Sequence, residues 1–155
     1  MHSRAEKLIK MIVTFFYLGY VPYMPGTFGA LAGVIIFLFL GSSSFIYVLT
    51  TILITLIGFI FCGSGEKVFF QKDPSCIIID EVSGMLVCYC FLPITLFNVI
   101  AGFILFRIFD IFKPFYIKRV EKIKGSAGIM LDDLFAAGYV VILLQIIQAC
   151  RRLLT

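Results

Sequence analysis

An all-α, polytopic membrane helical bundle of four to five membrane segments, preceded by an amphipathic helix, is the fold class this sequence predicts. Three observations lead there. Of its 155 residues, 61% are hydrophobic and only 14% charged, against about 45–50% apolar and about 25% charged in ordinary soluble domains. The mean hydropathy is +1.09; a chain this short cannot hide so much apolar surface in one core, so lipid must solvate much of it. The apolar residues gather in runs at 28–40, 45–62, 77–92, 94–106 and 131–149, and the charges stand between or at the ends of those runs.

The first element is residues 1–20. Lys7, Lys10 and Thr14 alternate with Leu8, Ile9, Met11 and Ile12 at helical spacing, which predicts an amphipathic helix lying at the membrane surface. No small-residue cleavage site follows, so a secretory signal is the weaker reading. Residues 28–149 then form the bundle, and the whole of 1–155 reads as a single domain without internal repeats. Turns are expected at Gly41–Ser44, from Gly63-Ser64-Gly65 through Asp73-Pro74, and at Pro93. Most runs fall short of the roughly 20 residues of a simple span, so tilt or partial embedding is expected.

Charge orients the bundle. With the basic N-terminus (Arg4, Lys7, Lys10) inside, alternating crossings put the lysine-free turns at 41–44 and Pro93 outside and the loops 63–76 and 113–130 inside, with Arg151 and Arg152 as the exception. The net charge of +4 thus speaks for membrane orientation and not for nucleic acid; Lys118, Arg119 and Lys122 read as interfacial lysines and arginine. No protein partner is implied. The five cysteines show no C-x-x-C pair and read as reduced packing residues, not a zinc or disulfide framework.

The chemistry is carried by carboxylates. All the acidic residues except Glu6 fall after residue 60, in or beside segment ends assigned to the cytoplasmic side. Asp80 and Glu81 open one apolar run (IIIDEVSGMLV), Asp110 closes the next (FRIFDIFKP), and Asp132 and Asp133 open the last (GIMLDDLFAAGY). Ionisable groups in membrane segments are costly and mark function. Paired carboxylates from separate helices suit a hard cation such as Mg²⁺, which takes oxygen ligands and keeps positions for water and phosphate. Helix capping and salt bridging alone would explain one such residue, but not two adjacent pairs plus Asp110. Glu66 and Asp73 are expected either to complete the metal site or to hold the loop. The only histidine, His2, lies outside any motif.

Arg107, Asp110 and Lys113 are spaced to share one helix face, a cation on each side of a carboxylate, with Arg107 able to grip phosphate oxygens; Pro114 ends that helix. Pro25-Gly26-Thr27 and Gly125-Ser126-Ala127-Gly128 are weaker signals: Thr27 is a candidate phosphate contact or a helix cap, Gly26 a turn residue, and the second stretch an anion loop or a flexible turn. Gly84 and Gly138 are expected to allow close helix approach.

At these residues the sequence resembles the phosphatidylglycerophosphatase A family. PGTFGA at 25–30, DPSCIIIDEVSGM at 73–85, FRIFDIFKP at 106–114 and GIMLDDLFAAG at 128–138 are similar to its characteristic blocks, in order and nearly chain-long. The departures are Phe115-Tyr116, where members often carry a second proline, and Lys124-Gly125-Ser126, near their histidine-glycine pair. The resemblance implies Mg²⁺-dependent hydrolysis of phosphatidylglycerophosphate to phosphatidylglycerol, on the cytoplasmic side of a bacterial membrane.

In-line attack of water on the phosphomonoester is the expected chemistry, with the cation and basic side chains neutralising the equatorial oxygens. Asp80, Glu81, Asp110, Asp132 and Asp133 are candidates for metal ligation and water activation, with Glu66 and Asp73 as further ligands. Arg107, Lys113 and Thr27 are candidates for the phosphate. Interior histidines, a cysteine phosphate loop and D-x-D are all absent, against other phosphatase chemistries. A metal-dependent phosphatidyl transferase and a small cation transporter are the alternatives. The transferase signature is missing, and carboxylates grouped with Arg107 and Lys113 at segment ends favour phosphate chemistry over an ion path.

Overall fold

A computed structural model describes residues 3–41, 44–113, 120 and 123–154. Among them it is all-helical: α1 (Arg4–Val13), α2 (Pro25–Leu40), α3 (Phe45–Phe69), α4 (Ile79–Cys88), α5 (Leu96–Phe112) and α6 (Ser126–Leu154), with a 3-10 turn at Leu18–Tyr20 and no strand. His2, Pro114, Phe115, Tyr116, Lys118, Arg119 and Lys122 lie outside the described residues.

Local chemistry sets the helix ends. Ser3 accepts the Glu6 N–H at 3.2 Å in the S-x-x-E spacing of a capping box. Ser44 caps α3 through the Tyr47 N–H at 3.1 Å, and Thr95 caps α5 through the Asn98 N–H at 3.2 Å. At the other ends α3 stops at Phe70 and α5 at Lys113, both in the left-handed region (φ 54° and 44°). α1 is shorter than the expected 1–20 and does have two faces. Lys7 and Leu8 are exposed, whereas Ile9, Ile12 and Val13 pack against α3.

The expected turn at Gly63-Ser64-Gly65 is instead helix: α3 runs unbroken to Phe69. These glycines serve packing. A Cβ on Gly63 would meet the Ser126 hydroxyl of α6 at 3.0 Å, and one on Gly65 would meet Ile77 at 2.9 Å. The Gly63 N–H donates to that hydroxyl at 2.6 Å.

α4 is the axis of the fold. It packs chiefly between α2 and α6 and also touches α3 and α5, and Val82, Ser83, Met85, Leu86 and Cys88 are fully buried. It ends after ten residues, where the Tyr47 hydroxyl donates to the Leu86 carbonyl of its last turn, and Tyr89, just beyond, ties the following turn to α5 by donating to the Val99 carbonyl, both at 2.6 Å. Phe37 stacks on Tyr89 with ring centroids 4.3 Å apart. Gly84 allows close approach as expected, since a Cβ there would sit 2.8 Å from the Phe106 ring; Gly138 does not, having open space around it.

Two helices, Phe45–Phe69 and Ser126–Arg151, are long and apolar enough to cross a membrane. At 1.5 Å per residue, α2 spans about 24 Å, α5 about 26 Å and α4 about 15 Å. The outer faces are apolar, with Ile35, Ile52, Ile104 and Ile146 each about half exposed. α2 and α4 begin, and α5 ends, at one common level, while α3 and α6 continue past it. Arg151 lies at the opposite end of the bundle, its guanidinium 4.4 Å from the ring centre of Phe97.

Candidate active site

The common level of the short helices is where the carboxylates meet. Asp80 and Glu81 occupy the first turn of α4, and Asp133 reaches them from the second turn of α6. One oxygen from each lies within 4.8 Å of the others. The three acids thus come from apolar segments some fifty residues apart, joined by the packing of α4 against α6. Asp80 and Asp133 are 8% and 2% exposed.

Asp110 and Asp132, at the same level, each have a cation. Arg107 pairs with Asp110 on α5, and the Lys113 ammonium donates to Asp132 at 2.7 Å, linking the end of α5 to α6. Lys113 does not continue the helical face of Arg107 and Asp110, because α5 stops at Phe112 and its backbone turns left-handed. The other Asp132 oxygen accepts the Asp133 N–H at 3.0 Å. Adjacent aspartates therefore do different things: Asp133 joins the acid cluster, and Asp132 binds lysine.

These side chains line a cavity of about 270 Å³ that also takes in Asp73, Ser75 and Pro25-Gly26. Gly26 sits in the first turn of α2, not in a turn. A Cβ there would lie 2.2 Å from a Glu81 oxygen and 3.1 Å from the Arg107 guanidinium, so only glycine lets α2 come this close. Thr27 is the next residue; its hydroxyl does not cap α2, and its oxygen is buried without a hydrogen bond.

Two expectations separate here. Asp73 lines the cavity, but Glu66 does not. Glu66 accepts the Asp73 N–H at 2.9 Å and faces a neighbouring recess with Lys72, Lys124 and Gly125, which fits loop-holding and not the acid cluster. Gly125 is a left-handed turn residue (φ 76°) with open space around it, and it borders that recess and not the carboxylates. Ser75, Met24 and Ile77 line the cavity without any signal in the sequence beyond their nearness to the PGT and DEV stretches. In the same loop, burial pushes the Cys76 thiol above its ordinary value, in keeping with an unreactive packing cysteine.

The donor set fits a hard divalent cation. An Asp80 oxygen and a Glu81 oxygen are sealed from water with no hydrogen-bond partner, an arrangement that is costly for ionised groups unless positive charge satisfies them. All three donors are carboxylate oxygens, the type that Mg²⁺ and similar ions select. The Arg107 Nε is likewise buried without an acceptor, so one cation donor remains directed at no protein group.

Comparison with known proteins identifies the family. The sequence profile described as phosphatidylglycerophosphatase A matches residues 11–148. A phosphatidylglycerophosphatase A of Haemophilus influenzae is 35% identical over 144 residues, covering 90% of this chain and 88% of the relative. That of Escherichia coli is 34% identical over 121 residues, covering 76% and 70%. A Bacteroides thetaiotaomicron protein provisionally named phosphatidylinositol-3-phosphatase is 35% identical over 152 residues, covering 93% and 96%. No solved structure matches.

Proposed function

The chain belongs to the phosphatidylglycerophosphatase A family, and on that footing we propose that it hydrolyses the terminal phosphomonoester of phosphatidylglycerophosphate at a divalent-cation site built by Asp80, Glu81 and Asp133. It is a lipid phosphatase, which sets aside the phosphatidyl-transfer and ion-transport readings. The observation that carries the site assignment is the meeting of three carboxylates, Asp80 and Asp133 buried and Glu81 partly so, two of them with unpartnered oxygens, beside Arg107 and Lys113.

Asp80, Glu81 and Asp133 would hold the cation, Mg²⁺ in our reading, which supplies positive charge to the phosphoryl oxygens and acidifies water. Arg107 offers its Nε–H to a phosphate oxygen while Asp110 fixes the rest of the guanidinium. Lys113, kept over the cavity by Asp132, neutralises a second oxygen. Thr27 can donate its hydroxyl proton to a third. Water attacks phosphorus opposite the ester oxygen, the P–O bond to the glycerol breaks, and the departing alkoxide takes up a proton, leaving phosphatidylglycerol and phosphate. Burial of Asp80 and Asp133 limits bulk water at the cluster, so these charges act in a weakly screening medium. Asp73, exposed in the cavity lining, is a candidate for ordering the attacking water.

We read the bundle as crossing the cytoplasmic membrane four or five times with the site on the cytoplasmic side, α2, α4 and α5 being short or partial spans. The test is phosphate release from phosphatidylglycerophosphate by protein purified in detergent, with Mg²⁺ titrated against a chelator. Release should require the cation, and Asp80→Asn or Asp133→Asn should lower it by about a thousandfold or more. Release that ignores chelator, or survives both substitutions, would sink the reading. Phosphatidylinositol 3-phosphate belongs in the same assay, because the Bacteroides relative carries that substrate in its name.

A further inference from the structure

We propose that the lipid enters this site sideways, between the N-terminal end of α2 and the C-terminal end of α5, and that Tyr23 and Phe112 form an apolar rim on which its acyl chains rest. This builds on the phospholipid phosphatase reading and adds a route and a recognition surface to it. Two walls of the cavity are those helix ends: Met24, Pro25 and Gly26 on one side, Arg107, Asp110 and Lys113 on the other. They approach so closely that a Cβ on Gly26 would sit 3.1 Å from the Arg107 guanidinium.

The residues at and just outside these walls are large, apolar and uncovered. Tyr23 is 90% exposed and Met24 63%; across the mouth Phe112 is 69% exposed and Ile111 60%. A site for a water-soluble phosphomonoester gains nothing from such a border, which would cost solubility on both sides. A phospholipid needs it, since its charged phosphate must sit among carboxylates while its chains stay in hydrocarbon.

Backbone conformation on both sides of the mouth is of the kind that L-residues avoid. Tyr23 and Met24 (φ 67° and 58°) precede α2, and Lys113 (φ 44°) follows α5, all in the left-handed region without being glycine. Such conformations persist where the surrounding structure imposes them, and they also end helices elsewhere in this chain, as at Phe70. Here they break the chain away from the helix axis at the points where Tyr23 and Phe112 flank the cavity.

Helix length supplies the third argument. α2 and α5, at about 24 and 26 Å, are shorter than the roughly 30 Å hydrocarbon core, while α3 and α6 run on past the site. If these helix ends lie below the headgroup plane, acyl chains reach the level of the mouth. The other side of the cavity is polar: Asp73 and Ser75, both exposed, line it, which gives released phosphate a way to water.

The experiment compares two substrates with the same headgroup, dioleoyl phosphatidylglycerophosphate in mixed micelles and its water-soluble dibutanoyl analogue. The variants are Tyr23→Asn, which tolerates the left-handed backbone, Phe112→Gln, and both together; neither residue lines the cavity. The double variant should raise KM for the dioleoyl lipid by about tenfold, the loss of one or two apolar contacts, with kcat nearly unchanged. The dibutanoyl substrate should be turned over as before, and Tyr23→Phe with Phe112→Leu should restore the dioleoyl KM. Equal effects on the two substrates, or none on either, would overturn the rim. Thermal unfolding in detergent checks the fold, and if the double variant does not fold, the single variants carry the same comparison. Should the unaltered protein hydrolyse neither substrate, the phosphatase reading fails; should it hydrolyse both while the variants do not separate them, only the rim is lost.

Discussion

Gly26 shows how one missing methyl group sets the site. In the sequence, Pro25-Gly26-Thr27 reads equally well as a turn or as a helix start, since both tolerate a residue without Cβ. Only the position of Glu81, 2.2 Å from where that Cβ would be, reveals the close approach. Gly26→Ala makes a sharp test because two effects oppose each other. Alanine favours the helix by about 1 kcal/mol, so folding should hold, whereas displacing Glu81 by about an ångström should lower phosphate release by about a hundredfold. Unchanged turnover in the alanine variant would mean that Glu81 is not held by this contact. The neighbouring aspartates teach the same lesson: Asp132 and Asp133 are alike in sequence, and only the place of Lys113 tells them apart.

The helices are more legible than their ends. Each apolar run read from the sequence has its helix, but Gly63-Ser64-Gly65 is helix where punctuation was expected, because Ser126 and Ile77 press against the bare glycine faces. Conversely, the run at 77–92 yields a helix of only ten residues, and nothing in its composition announces the stop. A tyrosine hydroxyl from α3 meets it there, Tyr47 donating to the Leu86 carbonyl, while Tyr89 beyond the stop binds a carbonyl of α5. Tyr47→Phe removes one of these bonds without opening a cavity, so it should destabilise the protein by about 1 kcal/mol, the net value of a typical hydrogen bond. Denaturant unfolding in detergent measures it; a variant as stable as the parent would show that the hydroxyl does not hold the end of α4.

For the whole molecule, the decisive arrangement is three short helices stopping at one level beside two long ones. If α3 crosses the membrane, its ends lie in different compartments. In a background with the native cysteines replaced, Lys72→Cys just beyond its C-terminal end should react with an impermeant maleimide only from the cytoplasmic side, and Ser44→Cys only from the other. Labelling of both from one side would rule out that crossing and with it the proposed orientation. Composition and charge placement alone determined that the chain is helical with apolar outer faces, and singled out the acids that gather at one level, because an ionised group in an apolar run is costly wherever it folds. Which three of those acids meet, which are taken by Arg107 and Lys113, and where the short helices end were decided by tertiary packing. Those distances join residues some fifty positions apart, and no local pattern encodes them.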